Sequence, residues 1–315
     1  MKIQTVTSTC LALLASTDLI TAFSFGTRLN DNVSKTGSVR RNFFSSRKQF
    51  SQVTTPRNTN FATNEKYYST CLSASVLNDD GDGDGALTIN PIYAGMWAAL
   101  LGFAIFLAPG EFNGQVDTDM INQIIANPTN PGLNEIFMVI FNFFVVAPIT
   151  LACLLMPGAK GQKFPATPFV AGSAFVGFFA LGPYLTTRQQ KTDVTKEDLG
   201  WFTSTVLENK LANYAALAIA VSIPFTTGVL SADPASTIDG FVELVTSSKF
   251  AAVSTADLTL LTIVSAMLIP EDMERRGMTD DGSSSDAKLL AASTLLLPVI
   301  GGSLYCALRP ELEEV

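Results

Sequence analysis

The 315 residues are 47% hydrophobic and only 15% charged, contain no histidine, and carry a formal charge of −8. Soluble domains carry about 25% charged residues, so this chain is short of groups to cover a water-facing surface. Lacking histidine, it excludes Ser/His/Asp and Cys/His catalysis and His-ligated haem, and it forfeits the usual metal ligand.

In chain order, Lys2 precedes the apolar stretch Cys10-Leu11-Ala12-Leu13-Leu14-Ala15, which closes at Leu19-Ile20-Thr21-Ala22. That is the pattern of a secretory signal (residues 1–22), too short for a permanent span. Residues 23–78 are rich in Ser, Thr, Asn and Arg and poor in acid, the composition of a disordered transit peptide. From Asp79 onward eleven bases face twenty-five acids, a charge near −14, so the leader and the remainder are electrically distinct. The two-part leader, with Phe23 following Thr21-Ala22, resembles the bipartite plastid-targeting leader of diatoms and related algae. That resemblance implies a plastid protein; a secretory signal with a disordered stalk explains the basic tract less well. Asp80 opens a D-x-D-x-D-G run like an EF-hand loop, but its twelfth position is Pro91 in place of the required glutamate. Residues 79–90 therefore read as an acidic linker.

Six apolar runs follow: Pro91–Pro109, Ile136–Met156, Pro168–Leu185, Leu211–Leu230, Ala251–Ile269 and Leu289–Leu308. Each approaches the roughly 20 residues a helix needs to cross hydrocarbon, where every backbone group must be bonded within the segment. The expected fold is all-α and integral to a membrane, with about six transmembrane helices. Trp97, Trp201, Tyr184 and Tyr305 are candidates for the interfacial aromatic belt. The small pairs Ala98/Gly102 and Ser173/Gly177 would let helices approach closely. With six crossings, one side collects Lys160, Lys163, Lys249 and Arg309, and the other Arg188, Lys191, Lys196, Lys210, Arg275, Arg276 and Lys288. Charge then leaves the orientation open.

Residues 91–190 and 191–315 read alike at an offset of about 120. Each half has an apolar helix, a short amphipathic segment (Thr118–Ile125, Ile238–Val245) and two more apolar runs. Glu135 and Asp257 open matching helices, and each half closes on a Gly, a Tyr, and an Arg four residues after the Tyr: Tyr184 to Arg188, Tyr305 to Arg309. Three spans per half would invert one half relative to the other, an arrangement known in transporters, and Pro148, Pro224 and Pro298 could interrupt spans. The second half, Leu211 to Pro310, carries Lys249-Phe250-Ala251-Ala252, Glu271-Asp272-Met273-Glu274-Arg275-Arg276-Gly277 and Leu297-Pro298-Val299-Ile300-Gly301-Gly302. With these motifs it resembles a family of small bacterial and plastid membrane proteins known only as a domain of unknown function. The resemblance implies fold and membrane location and brings no chemistry; the inserted Gly282-Ser283-Ser284-Ser285 departs from it.

Candidate functional residues are few. Ionisable groups in or near a membrane are costly and read first as functional, which singles out Glu135 and Asp257; acids in a first helical turn also simply complement the dipole. Asn142 is suited to an interhelical hydrogen bond, and Asn213 lies near a span end. Glu271, Asp272, Glu274, Arg275 and Arg276 read as a solvated loop with local ion pairs, or as a docking surface for a soluble partner. Cys153 and Cys306, inside apolar runs, read as small hydrophobes. No phosphate-binding motif, catalytic set, metal site or specific cofactor is indicated, and scattered bases on an acidic chain exclude a nucleic-acid surface. The expected role is non-enzymatic: a subunit, assembly factor or stabiliser of a membrane (photosynthetic) complex, in the thylakoid rather than the inner envelope. Its expected partners are the bilayer and other membrane subunits. A transporter of a small solute or ion is the alternative, and a membrane enzyme using carboxylates a further one.

Overall fold

A computed structural model describes residues 88–111, 114–128, 131–279 and 285–312. The signal, transit and acidic-linker readings, the EF-hand-like run and most of the Gly282–Ser285 insertion lie outside these residues. Every regular element described is helical. The helices are α1 Pro91–Gly102, α2 Gln115–Ala126, α3 Glu135–Leu155, α4 Ala166–Val176, α5 Phe178–Thr187, α6 Lys210–Thr226, α7 Pro234–Ser247, α8 Lys249–Arg275, α9 Ser285–Thr294 and α10 Ile300–Leu308.

Local chemistry explains the boundaries. Asn90 and Asn209 cap α1 and α6 in the same way, each side-chain oxygen accepting from the backbone N–H groups two and three residues on. A π-helical turn, Phe103–Leu107, carries α1 onward. Among the described residues only α3 and α8 are long and apolar enough to cross a membrane by themselves. Pro148 and Pro270 lie inside them without ending either helix. Proline removes one ladder bond there, and the two helices pack along each other, which holds the remaining turns in place.

The third and sixth apolar runs are not single spans. Gly177 adopts φ +57° between α4 and α5, a conformation only glycine takes at little cost. A Cβ built on Gly172 would stand 3.1 Å from the Ala180 Cβ, whereas eight residues of continuous helix would separate them by about 12 Å. The segment therefore doubles back. In the second half α9 and α10 are separated at Val299, the one described non-glycine residue with positive φ (63°). There a Cβ on Gly301 would meet the Thr294 backbone at 2.6 Å.

This bend decides the direction of the halves. The ring of Phe250, at the start of α8, lies 6.0 Å from that of Phe137 and 6.3 Å from that of Phe141, at the start of α3. At the other end Arg275 of α8 donates to the Leu154 carbonyl of α3 at 3.2 Å. The two long helices thus run parallel. An inverted arrangement would bring the start of one to the end of the other, so the inverted reading is corrected. Its premise was three crossings per half, but the third run begins and ends at the same end of the molecule. Gln162, before α4, and Gln189, after α5, bond each other twice, at 2.8 and 2.9 Å.

Helix α1 packs on α5 and α6 on α10, while α3 and α8 form the centre. Trp97 lies flat against Gly182, where a Cβ would overlap its ring, and its indole N–H donates to the Phe179 carbonyl at 3.1 Å. It is an interhelical anchor and not a belt residue. Tyr184 and Tyr305 are buried, whereas Trp201 is exposed. Nothing lies within 4 Å of a Cβ on Gly102, so the Ala98/Gly102 pair marks no close helix approach.

At the end where α3 and α8 begin, the halves exchange their amphipathic helices. Asp117 of α2 accepts from Ser248 at 2.6 Å and from the Phe250 N–H, capping α8. Asn134, the cap of α3, donates to Thr237 of α7 at 2.8 Å.

Candidate functional site

At the opposite end α3, α5, α8 and α10 all terminate, and their exposed carbonyls would leave four negative dipole ends together. The chain answers with arginines. Arg188 follows α5, Arg275 and Arg276 close α8, and Arg309 follows α10. Three acids interleave them: Glu271 and Asp272 in the last turns of α8, and Glu208 just before α6.

Asp272, with no exposed surface, is the hub. Arg275 reaches it at 3.0 Å, Arg276 at 2.8 Å, Arg309 at 3.1 Å and the Tyr305 hydroxyl at 3.0 Å. Glu271 takes a two-pronged contact from Arg188, at 2.9 and 2.5 Å, and one from Arg275 at 2.8 Å. Glu208 takes two from Arg276, at 3.0 and 2.9 Å, and one from Arg309 at 2.9 Å. Such paired, planar contacts are what guanidinium supplies and lysine cannot. Other guanidinium contacts go to main-chain carbonyls of Cys153, Leu154, Lys191, Leu207 and Pro310. Lys210 also donates to the Arg309 carbonyl.

Four guanidinium groups against three carboxylates leave a net charge of +1. Four helix C-termini, each carrying roughly −0.5 of a charge, are enough to offset it. Burial works against the charge on Arg188, Arg276 and Arg309. The facing acids outweigh burial and raise the pKa of all three. Two buried donors at the network's edge, the Tyr184 hydroxyl and the Arg188 Nε, have no hydrogen-bond partner.

The solvated-loop and docking readings of Glu271, Asp272, Glu274, Arg275 and Arg276 are therefore corrected. Helix α8 continues to Arg275 and is capped at Arg276, all but Glu274 are buried, and the charges of the buried four face inward. The signal was present in their spacing. Glu271 to Arg275 and Asp272 to Arg276 are i,i+4 pairs, and Asp272 to Arg275 is i,i+3; such neighbours meet only if the residues are helical. Glu208 carried no comparable signal, because its partners lie at least 68 residues away.

The other candidates fall elsewhere. Asp257 is buried two turns into α8, about 21 Å along the axis from Glu271. Its Oδ1 accepts from the Phe178 N–H at 2.7 Å, capping α5 where the hairpin turns. Glu135 is half-buried in the first turn of α3. Asn142 donates to the Met138 carbonyl of its own helix at 2.7 Å rather than across to another. Asn213 is buried and bonds the Leu207 carbonyl. Among the described residues no cluster of three or more His, Cys, Asp or Glu side chains could hold a metal.

No family model matches the chain, and neither does any curated protein or solved structure.

Proposed function

We propose that the chain is a non-enzymatic integral membrane protein of a plastid, in the thylakoid rather than the inner envelope. In this reading it acts as a subunit, assembly factor or stabiliser of a larger membrane complex. The carrying observation is the direction of its polar groups: the densest charge is turned inward and mutually neutralised. The outer surface presents Ile105, Phe106, Phe175, Leu211, Phe225 and Leu308, as lipid or a membrane-embedded partner requires. Native-gel fractionation of solubilised plastid membranes, with mass spectrometry of the band, tests this. Co-migration with a large assembly is expected. Migration alone would sink the reading and favour a transporter, for which the two turned-back hairpins and the buried Asp257 speak.

In the bilayer, α1, α3, α6 and α8 cross, and α4–α5 and α9–α10 enter and leave on one side. The halves are then parallel repeats. Asn90/Asn209, Glu135/Asp257, Pro148/Pro270, Gly177/Val299 and Arg188/Arg309 correspond at offsets of 119–122 residues. This arrangement merges the two basic sets that six crossings would separate. Lys160, Lys163, Lys191, Lys196 and Lys210 join the four arginines at one end, and among the described residues Lys249 lies at the other. The positive-inside rule then keeps the ion-pair end on the side from which the chain inserts. Single cysteines replacing Lys163, Glu197 and Glu311 should all react with an impermeant maleimide from the same side of sealed vesicles. A cysteine replacing Asp239 should react only from the other side. Labelling of Lys163→Cys and Glu197→Cys from opposite sides would restore six crossings.

A further inference from the structure

The two turned-back hairpins stop well short of the far ends of the helices they pack on. The first turns at Gly177, where Phe178 donates to Asp257, eight residues into α8. Helix α1 runs on beside it. Trp97 lies against Gly182 and bonds Phe179, yet the chain continues through the π-helical turn to Gly110, where a Cβ would stand 2.7 Å from the Ser247 carbonyl oxygen. About 12 Å of α8 and about 15 Å of α1 thus rise beyond the first tip. The second hairpin turns at Val299, four residues before Ser303, whose hydroxyl meets that of Thr150 at 2.9 Å. Thr150 lies fifteen residues into α3, so about 16 Å of α3 rises beyond this tip.

Both steps carry the same kind of surface. Phe175 and Val176 at the first tip are 79% and 53% exposed, and Leu296 and Leu297, 121 residues later, are 81% and 53% exposed. Nearer the far end, Phe106 and Phe225 are exposed at an offset of 119. The hydroxyl beside each tip is buried and bonded within its own helix: Ser173 donates to Val170 and Thr294 to Ala291, each at 2.7 Å. No polar side chain is exposed in residues 174–176 or 295–298. We propose that each step is a binding site for lipid acyl chains from the leaflet opposite the ion-pair end, a proposal that rests on the membrane placement given above. The hydrocarbon of one leaflet is about 15 Å deep, which is the height of both steps. Chains of that leaflet stand on the tips by their methyl ends. The two tips share depth and apolarity but not sequence. A fluid hydrocarbon chain requires no more, whereas a protein partner packs by shape and would need matching contours at each tip.

The test uses the full chain in membranes isolated from its source cells, where any protein partner is still present. The membranes are doped with one of two phosphatidylcholines, one carrying a photoreactive diazirine at the methyl end of an acyl chain, the other beside the ester. After irradiation the chain is digested and its lipid adducts are mapped by mass. The methyl-end probe should mark residues 174–176 and 295–298. The ester-side probe should mark Phe106 and Phe225 and miss both tips. Unmarked tips on a chain marked at Phe106 and Phe225 would overturn the lipid sites, identify a protein as the cover, and leave the membrane placement standing. Tips marked by the ester-side probe would overturn the assigned leaflet and depth. No adduct from either probe anywhere on the chain would overturn the membrane placement, and both sites with it.

Discussion

Asp272→Ala is expected to lower the unfolding free energy by about 3–5 kcal/mol, because it removes one partner from a buried network and strands the others. Three guanidinium groups and the Tyr305 hydroxyl converge on this carboxylate. Without it the cluster rises from +1 to +2, with Glu208 and Glu271 left to serve four arginines. Truncating Glu208 should cost less. Its side chain is 13% exposed, so water can take over part of its role. Unfolding of the detergent-solubilised protein in increasing sodium dodecyl sulfate, followed by circular dichroism, would measure both. Equal losses for the two variants would refute Asp272 as the hub. Replacing Arg309 together with Asp272 by apolar residues of similar volume should recover part of the loss, since an unpaired charge costs more than an absent one.

Gly177→Ala is the second large effect expected. The added methyl would overlap the Asp257 carboxylate, and φ +57° is unfavourable for any residue with a Cβ. The conformational cost alone is about 1–3 kcal/mol, and displacing Asp257 from the Phe178 N–H adds about 1–3 kcal/mol for an unmet buried donor. The double variant Gly177→Ala, Asp257→Gly separates the two contributions. It relieves the overlap but not the backbone strain or the missing cap, so it should unfold closer to Asp257→Gly alone than additivity allows. Full additivity in the same unfolding assay would mean that the tip of the hairpin and Asp257 are not in contact.

Much of the helical content was legible because apolar runs and capping residues are local signals. The start of α3 at Glu135 and the amphipathic faces of α2 and α7 could be read directly. The topology could not, for two reasons. An apolar run of about 20 residues is equally consistent with one crossing or with a hairpin of two half-length helices, and only the backbone at Gly177 distinguishes them. That residue looked like half of a helix-packing pair with Ser173. Reading such a hairpin as one crossing reverses the inferred direction of everything after it. The ion-pair site was half legible: its α8 residues advertise themselves by helical spacing, and Arg188 and Arg309 by their matching distance from a tyrosine. That they meet depends on the hairpins turning back, so no local pattern carries it.

The ion-pair cluster also has a temporal side. Its members span residues 188 to 309, so a growing chain cannot complete the cluster until its last helix is in place. Until then Asp272 and Glu208 lack Arg309, and Arg276 lacks the Pro310 carbonyl to which it donates. A stalled or shortened chain would therefore be marked by exposed, unneutralised groups that a finished chain conceals. Completion of synthesis and concealment of charge become the same event.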